Sequence, residues 1–166
     1  MLVRMTHATA PRRSAAEQAR LDASLTTLFE QQISFNRVLG LRLNGHGPNG
    51  PTLRFDMRPE LVGHLLSGRL HGGVISATLD AMGGLAVMWA IAEKHADEAA
   101  TQVMHRFAKL GTIDLRVDYL RPGLGRHFIA QGEVMRLGGR VGTTQMRMVN
   151  DEGTLIATAA AAYIVS

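Results

Sequence analysis

Apolar and polar positions change their rhythm along this chain, and each change marks an element. Over residues 14–36, Leu21, Leu25, Leu28, Phe29 and Ile33 recur at three- and four-residue steps. That spacing predicts an amphipathic helix whose apolar stripe lies on something larger. Ser14 is placed to cap it, with Glu17 three residues later to complete a capping box. From Leu41 the period falls to two. Leu41 and Leu43 flank Arg42, GHGPNGP supplies turn residues, and Leu53, Phe55 and Met57 alternate with Arg54, Asp56 and Arg58. The pattern predicts a β-hairpin. A loop, ELVGHLLSGRL, follows it.

The next run, HGGVISATLDAMGGLAVMWAIA, spans His71 to Ala92. Val74, Ile75, Leu79, Met82, Leu85, Ala86 and Trp89 fall at helical steps, and the run is too long for a strand. It is apolar nearly all round, which predicts a helix buried in the core, ending where charge returns between Glu93 and Ala100. Gly83-Gly84 reads as a close-packing contact between helices. Beyond it a strand alternates cleanly: Ile113, Leu115, Val117 and Tyr119 on one face, Thr112, Asp114, Arg116 and Asp118 on the other. Phe128 to Leu137, Val141 to Val149 and Thr154 to Val165 continue as strands joined by Gly- and Asn-containing turns. Ala159 to Ala162 favours helix by propensity, but the β-branched flanks and the preceding meander decide for strand. The order is helix, hairpin, long buried helix, four strands. It predicts an α+β fold in which an antiparallel sheet wraps around one long central helix, with an additional N-terminal helix. One domain is expected over residues 16–166, preceded by a disordered basic tail, residues 1–15.

Composition adjusts this picture in a few places. The chain has 166 residues, enough for one sizeable core, and no cysteine, which removes disulfides and thiol chemistry. Its seven histidines fall in no ligand spacing, so no metal is expected. The net charge of +4 comes from dispersed arginines rather than a basic block interleaved with aromatics, which argues against nucleic acid. Asp80, four glycines and His71 argue against the long apolar run as a membrane span.

Asp80 is the candidate for chemistry. It is the one acid in the apolar part of the central run, and a carboxylate there is costly unless something pairs with it or uses it.

The element order, with Leu70-His71-Gly72-Gly73-Val74 and Asp80 opening the central helix and Asp114-Leu115-Arg116-Val117-Asp118-Tyr119-Leu120-Arg121-Pro122 after it, resembles the hotdog-fold acyl-CoA thioesterases. It is most similar to the branch of phenylacetate-pathway and medium-chain enzymes. The resemblance covers roughly residues 33–165 and includes Phe35 to Leu41. It implies hydrolysis of acyl-CoA to free acid and CoA, without a cofactor and in the cytoplasm. The backbone N–H of Gly72 would hold the thioester oxygen, where a helix start offers unpaired donors and a positive dipole end. Asp80 would be general base or nucleophile, and Thr112 would assist the water or the acid. Gly72 and Gly73 leave the backbone open to substrate. His71, Gly73 and His64 are expected beside substrate, although for His71 the residues alone favour a helix cap. Relatives carry Asn or Gln six residues before the motif His; Leu65 stands there, and His64 takes the role if the loop holds one extra residue.

Eight residues of helix separate Gly72 from Asp80, a rise of about 12 Å. Both groups can act on one thioester only from different subunits. A homodimer with two composite sites is therefore expected, and dimers pairing into tetramers fit the family. Small residues on the helix (Ala77, Ala81, Gly83, Gly84, Ala86), beside Met82 and Met88, predict an apolar pocket for medium to long or aryl acyl groups. Arg69, Arg121, Arg126 and Arg140 are candidates for the CoA phosphates. Two other readings stand beside the hydrolase: a hotdog dehydratase or hydratase, which needs a histidine–acid pair, and an acyl-CoA-binding domain without catalysis.

Overall fold

The computed structural model describes residues 12–47 and 50–166. The expected disordered tail lies outside the described residues as far as residue 11; from Arg12 the chain is placed. Arg13 donates to the carbonyls of Ala92 and His95 at the end of the central helix, where exposed carbonyls attract a cation.

The N-terminal helix is broken where the sequence reads as continuous. Helix α1 spans Ala15–Thr27, a π-helical turn covers Leu28–Gln32, Ile33 is extended, and α2 runs over Ser34–Leu39. Asn36 stabilises the break from inside, its side-chain amide donating to the carbonyl of Phe29 at 3.2 Å. Ser14 caps α1 by accepting from the N–H of Glu17 at 3.2 Å. The capping box is not completed. The Glu17 carboxylate turns outward to accept from the N–H of Ala100 at 2.9 Å. That N–H opens α4, Ala100–Arg106, a helix absent from the sequence reading. Leu21 and Leu25 are buried as α1 packs on α4, which is the larger body the stripe requires.

Strands β1 (Arg42–Gly47) and β2 (Gly50–Asp56) form the expected hairpin. The expected loop contains a small hairpin of its own, β3 (Val62–His64) with β4 (Arg69–Leu70). The central helix α3 runs from Gly72 to Lys94. After α4 come β5 (Gly111–Tyr119), β6 (His127–Leu137), β7 (Val141–Asn150) and β8 (Leu155–Ile164). The six-stranded antiparallel sheet has the order β1-β2-β6-β7-β8-β5. Helix α3 lies on one face of it, against β2, β5, β6, β7 and β8. By length and composition α3 would cross a bilayer, but the sheet covers most of it. This is the hotdog architecture the resemblance implies.

Small residues let the helix seat closely. Ala157, Ala159 and Ala161 of β8 face it and are buried, which is why the alanine run is a strand despite its propensity. A Cβ on Gly132 would stand 3.1 Å from that of Ala86 and 3.2 Å from the Met82 carbonyl. Phe55 and Phe128 stack at 5.2 Å between ring centres under the same helix.

The Glu17 carboxyl is held below the usual range, first by the Ala100 N–H and also by Arg20; Glu98 is lowered first by its hydrogen bond from Arg106. Both carboxylates therefore stabilise the fold above the ordinary carboxylate range, and the contribution is lost as pH falls through their lowered values. Thermal unfolding followed by circular dichroism between about pH 7 and pH 3 should show the melting temperature falling on the acid side, with a shallower fall in Glu17→Gln.

Candidate active site

The site is built where β5 and β8 pass the middle of α3. An uninterrupted β5 would send Thr112 to the same side as Asp114, away from the helix. The register shifts between these two residues: Thr112 lies opposite Tyr163, whereas Asp114 lies opposite Ala162. Residues directly opposite in an antiparallel pair point to one face, so the bulge at Ile113 turns Thr112 to the helix side with Tyr163. Ile113 is left 57% exposed. The Asp114 carboxylate accepts the N–H of Ala162 at 3.0 Å, supplying a partner at the interrupted ladder.

The re-aimed Thr112 hydroxyl donates to Oδ1 of Asp80 at 2.8 Å. The Tyr163 hydroxyl donates to the Asp80 backbone carbonyl at 2.8 Å and stands 3.4 Å from the same Oδ1. Burial first, then the Asp80 charge, push the Tyr163 hydroxyl far above its ordinary pKa, so it remains a protonated donor. No hydrogen bond to Oδ2 of Asp80 is seen among the described residues. Tyr163 is the site residue that sequence reasoning missed. It follows an alanine run and resembles an ordinary core aromatic; its signal lies in Gly83, whose missing side chain makes room for it. A Cβ there would lie 2.2 Å from the Tyr163 oxygen. Gly83 thus serves contact with a strand tyrosine, not the contact between helices read from the sequence.

Asp80 is half-buried at the edge of a cavity of about 230 Å³. Ala77, Ala81, Gly84 and Met88 of α3 line it as expected, while Met82, Gly83 and Ala86 face the core instead. The opposite wall is Phe29, Ile33, Phe35 and Asn36, from the broken N-terminal helix. The sequence reading gave that wall no role, because an apolar stripe looks the same whether it meets core or cavity.

The start of α3 is a separate place. His71 caps it, its Nδ1 accepting the Gly73 N–H at 2.9 Å. A Cβ on Gly73 would come within 3.0 Å of that nitrogen, so Gly73 serves the cap and its N–H is already used. The Gly72 N–H has no partner among the described residues, and its carbonyl accepts from the Tyr119 hydroxyl at 3.1 Å. A second cavity, about 360 Å³, opens at Gly72 and includes Arg69, Tyr119 and Arg121 in its wall. Of the other candidate arginines, Arg126 is held by Asp151 at 2.7 Å. His64, exposed at the end of β3, has its Nδ1 3.0 Å from the Ser67 hydroxyl and makes no hydrogen bond to Gly72, Asp80 or Thr112. The chain therefore brings Asp80 and Thr112 together, places Gly72 in a different cavity, and leaves His64 apart. Among the described residues no group of three His, Asp or Glu side chains is arranged to hold a metal.

Residues 67–157 match the family model described as the thioesterase superfamily. The medium/long-chain acyl-CoA thioesterase YigI of Escherichia coli is 37% identical over 138 residues, covering 83% of this chain and 89% of the relative. A Shewanella oneidensis structure related to the thioesterase superfamily is 37% identical with a TM-score of 0.84, covering 92% of this chain and 100% of its own. A Bacillus halodurans protein solved with CoA is 17% identical with a TM-score of 0.63, covering 92% and 95%, and shares the fold alone.

Gly83→Ala should destabilise the protein by about 1–3 kcal/mol, the usual cost of forcing extra volume into a packed contact. Gly84→Ala is the control: its Cβ meets Leu110 and Tyr163 at 3.9 Å, an ordinary contact, and gains helix propensity. In thermal denaturation, Gly83→Ala should melt several degrees lower while Gly84→Ala holds or rises.

Proposed function

We propose that this chain, which belongs to the thioesterase superfamily, hydrolyses acyl-CoA thioesters to free acid and CoA. The observation that carries the reading is the Asp80 carboxylate, held by Thr112 at the edge of an apolar cavity. Asp80 activates water or attacks the carbonyl, with the cavity taking the acyl chain. The Gly72 N–H, at the positive end of the α3 dipole, receives the charge that develops on the thioester oxygen. Arg69 and Arg121 flank the Gly72 cavity and suit the CoA phosphates. A dehydratase would need a histidine beside the acid; the side-chain partners of Asp80 are hydroxyls.

The working unit is a homodimer. Gly72 and Asp80 open on different cavities of one chain, in keeping with the helix rise between them. A two-fold pairing of α3 helices would bring the Gly72 of one protomer to the Asp80 of its partner. Strand β5 is a sheet edge whose outer side is unpaired among the described residues; it carries the exposed Ile113 and Tyr119, and such an edge is a template for a second copy.

Asp80→Asn should lower kcat by about a hundredfold or more without unfolding the protein. Gly72→Pro removes the N–H at the first helical position, where proline fits, and His71 at φ −66° and ψ 136° is already in the conformation proline demands of its predecessor. Each variant alone should be inactive. Mixed, they should recover activity through the one site of each heterodimer that is intact on both sides. Verified subunit exchange without recovery would remove the composite site.

The acyl group is read as medium to long or aryl, supported by the cavity wall of Phe29, Ile33, Ala77, Ala81 and Met88 and by the E. coli relative. In a series from acetyl- to decanoyl-CoA, kcat/KM should rise with each methylene buried, at about 0.8 kcal/mol apiece, until the pocket is full. A flat or falling series contradicts the open apolar pocket.

A further inference from the structure

Tyr163 is more than core packing. It is 2% exposed, and its hydroxyl reaches α3 at the residue that carries the carboxylate. A peptide carbonyl has two lone pairs, so the Asp80 carbonyl can accept from the tyrosine while keeping its place in the helix ladder. The same hydroxyl is 3.4 Å from Oδ1, to which Thr112 donates at 2.8 Å. The two hydroxyls sit on paired positions of neighbouring strands, Thr112 opposite Tyr163, and converge on one carboxylate oxygen. Gly83 supplies the space for this approach and so belongs to the same device.

We infer that Tyr163 is a positioning residue for thioester hydrolysis: with Thr112 it holds Asp80 by its carbonyl and by one carboxylate oxygen, leaving the other oxygen to act. This rests on the reading of Asp80 as the acting carboxylate. An aspartate side chain on a helix otherwise samples more than one rotamer. Fixing the carbonyl sets the height of the Asp80 backbone against the sheet; fixing Oδ1 sets the turn of the carboxylate. Tyr163 acts through its hydroxyl, because a phenyl ring alone would fill the same core volume. Its burial keeps that hydroxyl protonated, so its proton stays available to Asp80.

Tyr163→Phe removes the hydroxyl and keeps the ring. Its kcat should fall about tenfold with KM changed less than about twofold, as expected when a hydrogen bond that positions the acting carboxylate is lost without loss of the binding surface. Tyr163→Phe and Thr112→Ala should be non-additive in kcat, since both position one residue, Asp80, and Thr112→Ser should restore the Thr112→Ala loss. In an Asp80→Asn background, Tyr163→Phe should leave the residual rate unchanged. An unchanged kcat in Tyr163→Phe overturns the proposal while Asp80→Asn still reports on the catalytic reading. So does an equal fall in the Asp80→Asn background, because Tyr163 would then act elsewhere. Normal turnover in Asp80→Asn removes the catalytic reading itself and the inference with it. A spectroscopic arm does not depend on folding of the Phe variant. The chain has two tyrosines, so fluorotyrosine labelling gives two fluorine resonances, assigned with Tyr119→Phe. Asp80→Asn should shift that of Tyr163; an unmoved resonance overturns the contact.

Discussion

A carboxylate on the inner helix of this fold must find its partners on the sheet, and much of the local structure follows from that requirement. An unpaired charge beside an apolar core costs several kcal/mol. The sheet supplies two hydroxyls, from Thr112 and Tyr163, and it can bring them close only because small residues let α3 seat deeply. Gly132 and the alanines of β8 set the distance; Gly83 clears the path for one hydroxyl. The glycines inside the central helix, unfavourable for helix propensity, are therefore explained by geometry rather than by flexibility.

The second hydroxyl arrives through a defect. A regular β5 would aim Thr112 outward, and one extra residue at Ile113 reverses it. Such a bulge is least disruptive at the edge of a sheet, where only one ladder is interrupted, and β5 is an edge strand. Asp114 supplies a partner for the backbone opposite. The same edge position leaves Ile113 and Tyr119 exposed and the outer side of β5 without a partner among the described residues. Placement of the threonine and the open edge proposed for dimer contact thus come from one local feature.

The N-terminal region has a similar double character. Arg13 fastens it to the end of α3, Glu17 fastens it to α4, and Leu21 and Leu25 bury it against that helix. So anchored, the chain changes to a π-helical turn and breaks at Ile33, which carries Phe29, Ile33 and Phe35 to the cavity beside Asp80. π-Helical turns recur at functional sites because they re-aim side chains without ending a helix outright.

How much of this was legible in the sequence depended on the range of the interaction. Periodicity of two or of 3.6 is local, and it identified the central helix, the hairpin, the four late strands and Asp80 as the anomalous acid. The cap by Ser14 is local too, and so is the helix start at the His-Gly-Gly motif. What failed was long-range. Glu17 prefers an N–H that is 83 residues away to the one three residues before it. The continuous stripe of residues 21–33 conceals a break that Asn36 supports from the next helix. α4 is short, and its seven residues carry too little apolar pattern to stand out. Above all, the face on which Thr112 lies was inverted by one bulged residue, and Tyr163 joined the site from 83 residues beyond Asp80. The sequence by itself determined which residues carry charge and polarity into an apolar core. Only the tertiary structure decided which of them meet, because register, bulges and close approach between elements are settled by packing across the sheet, which no local pattern encodes.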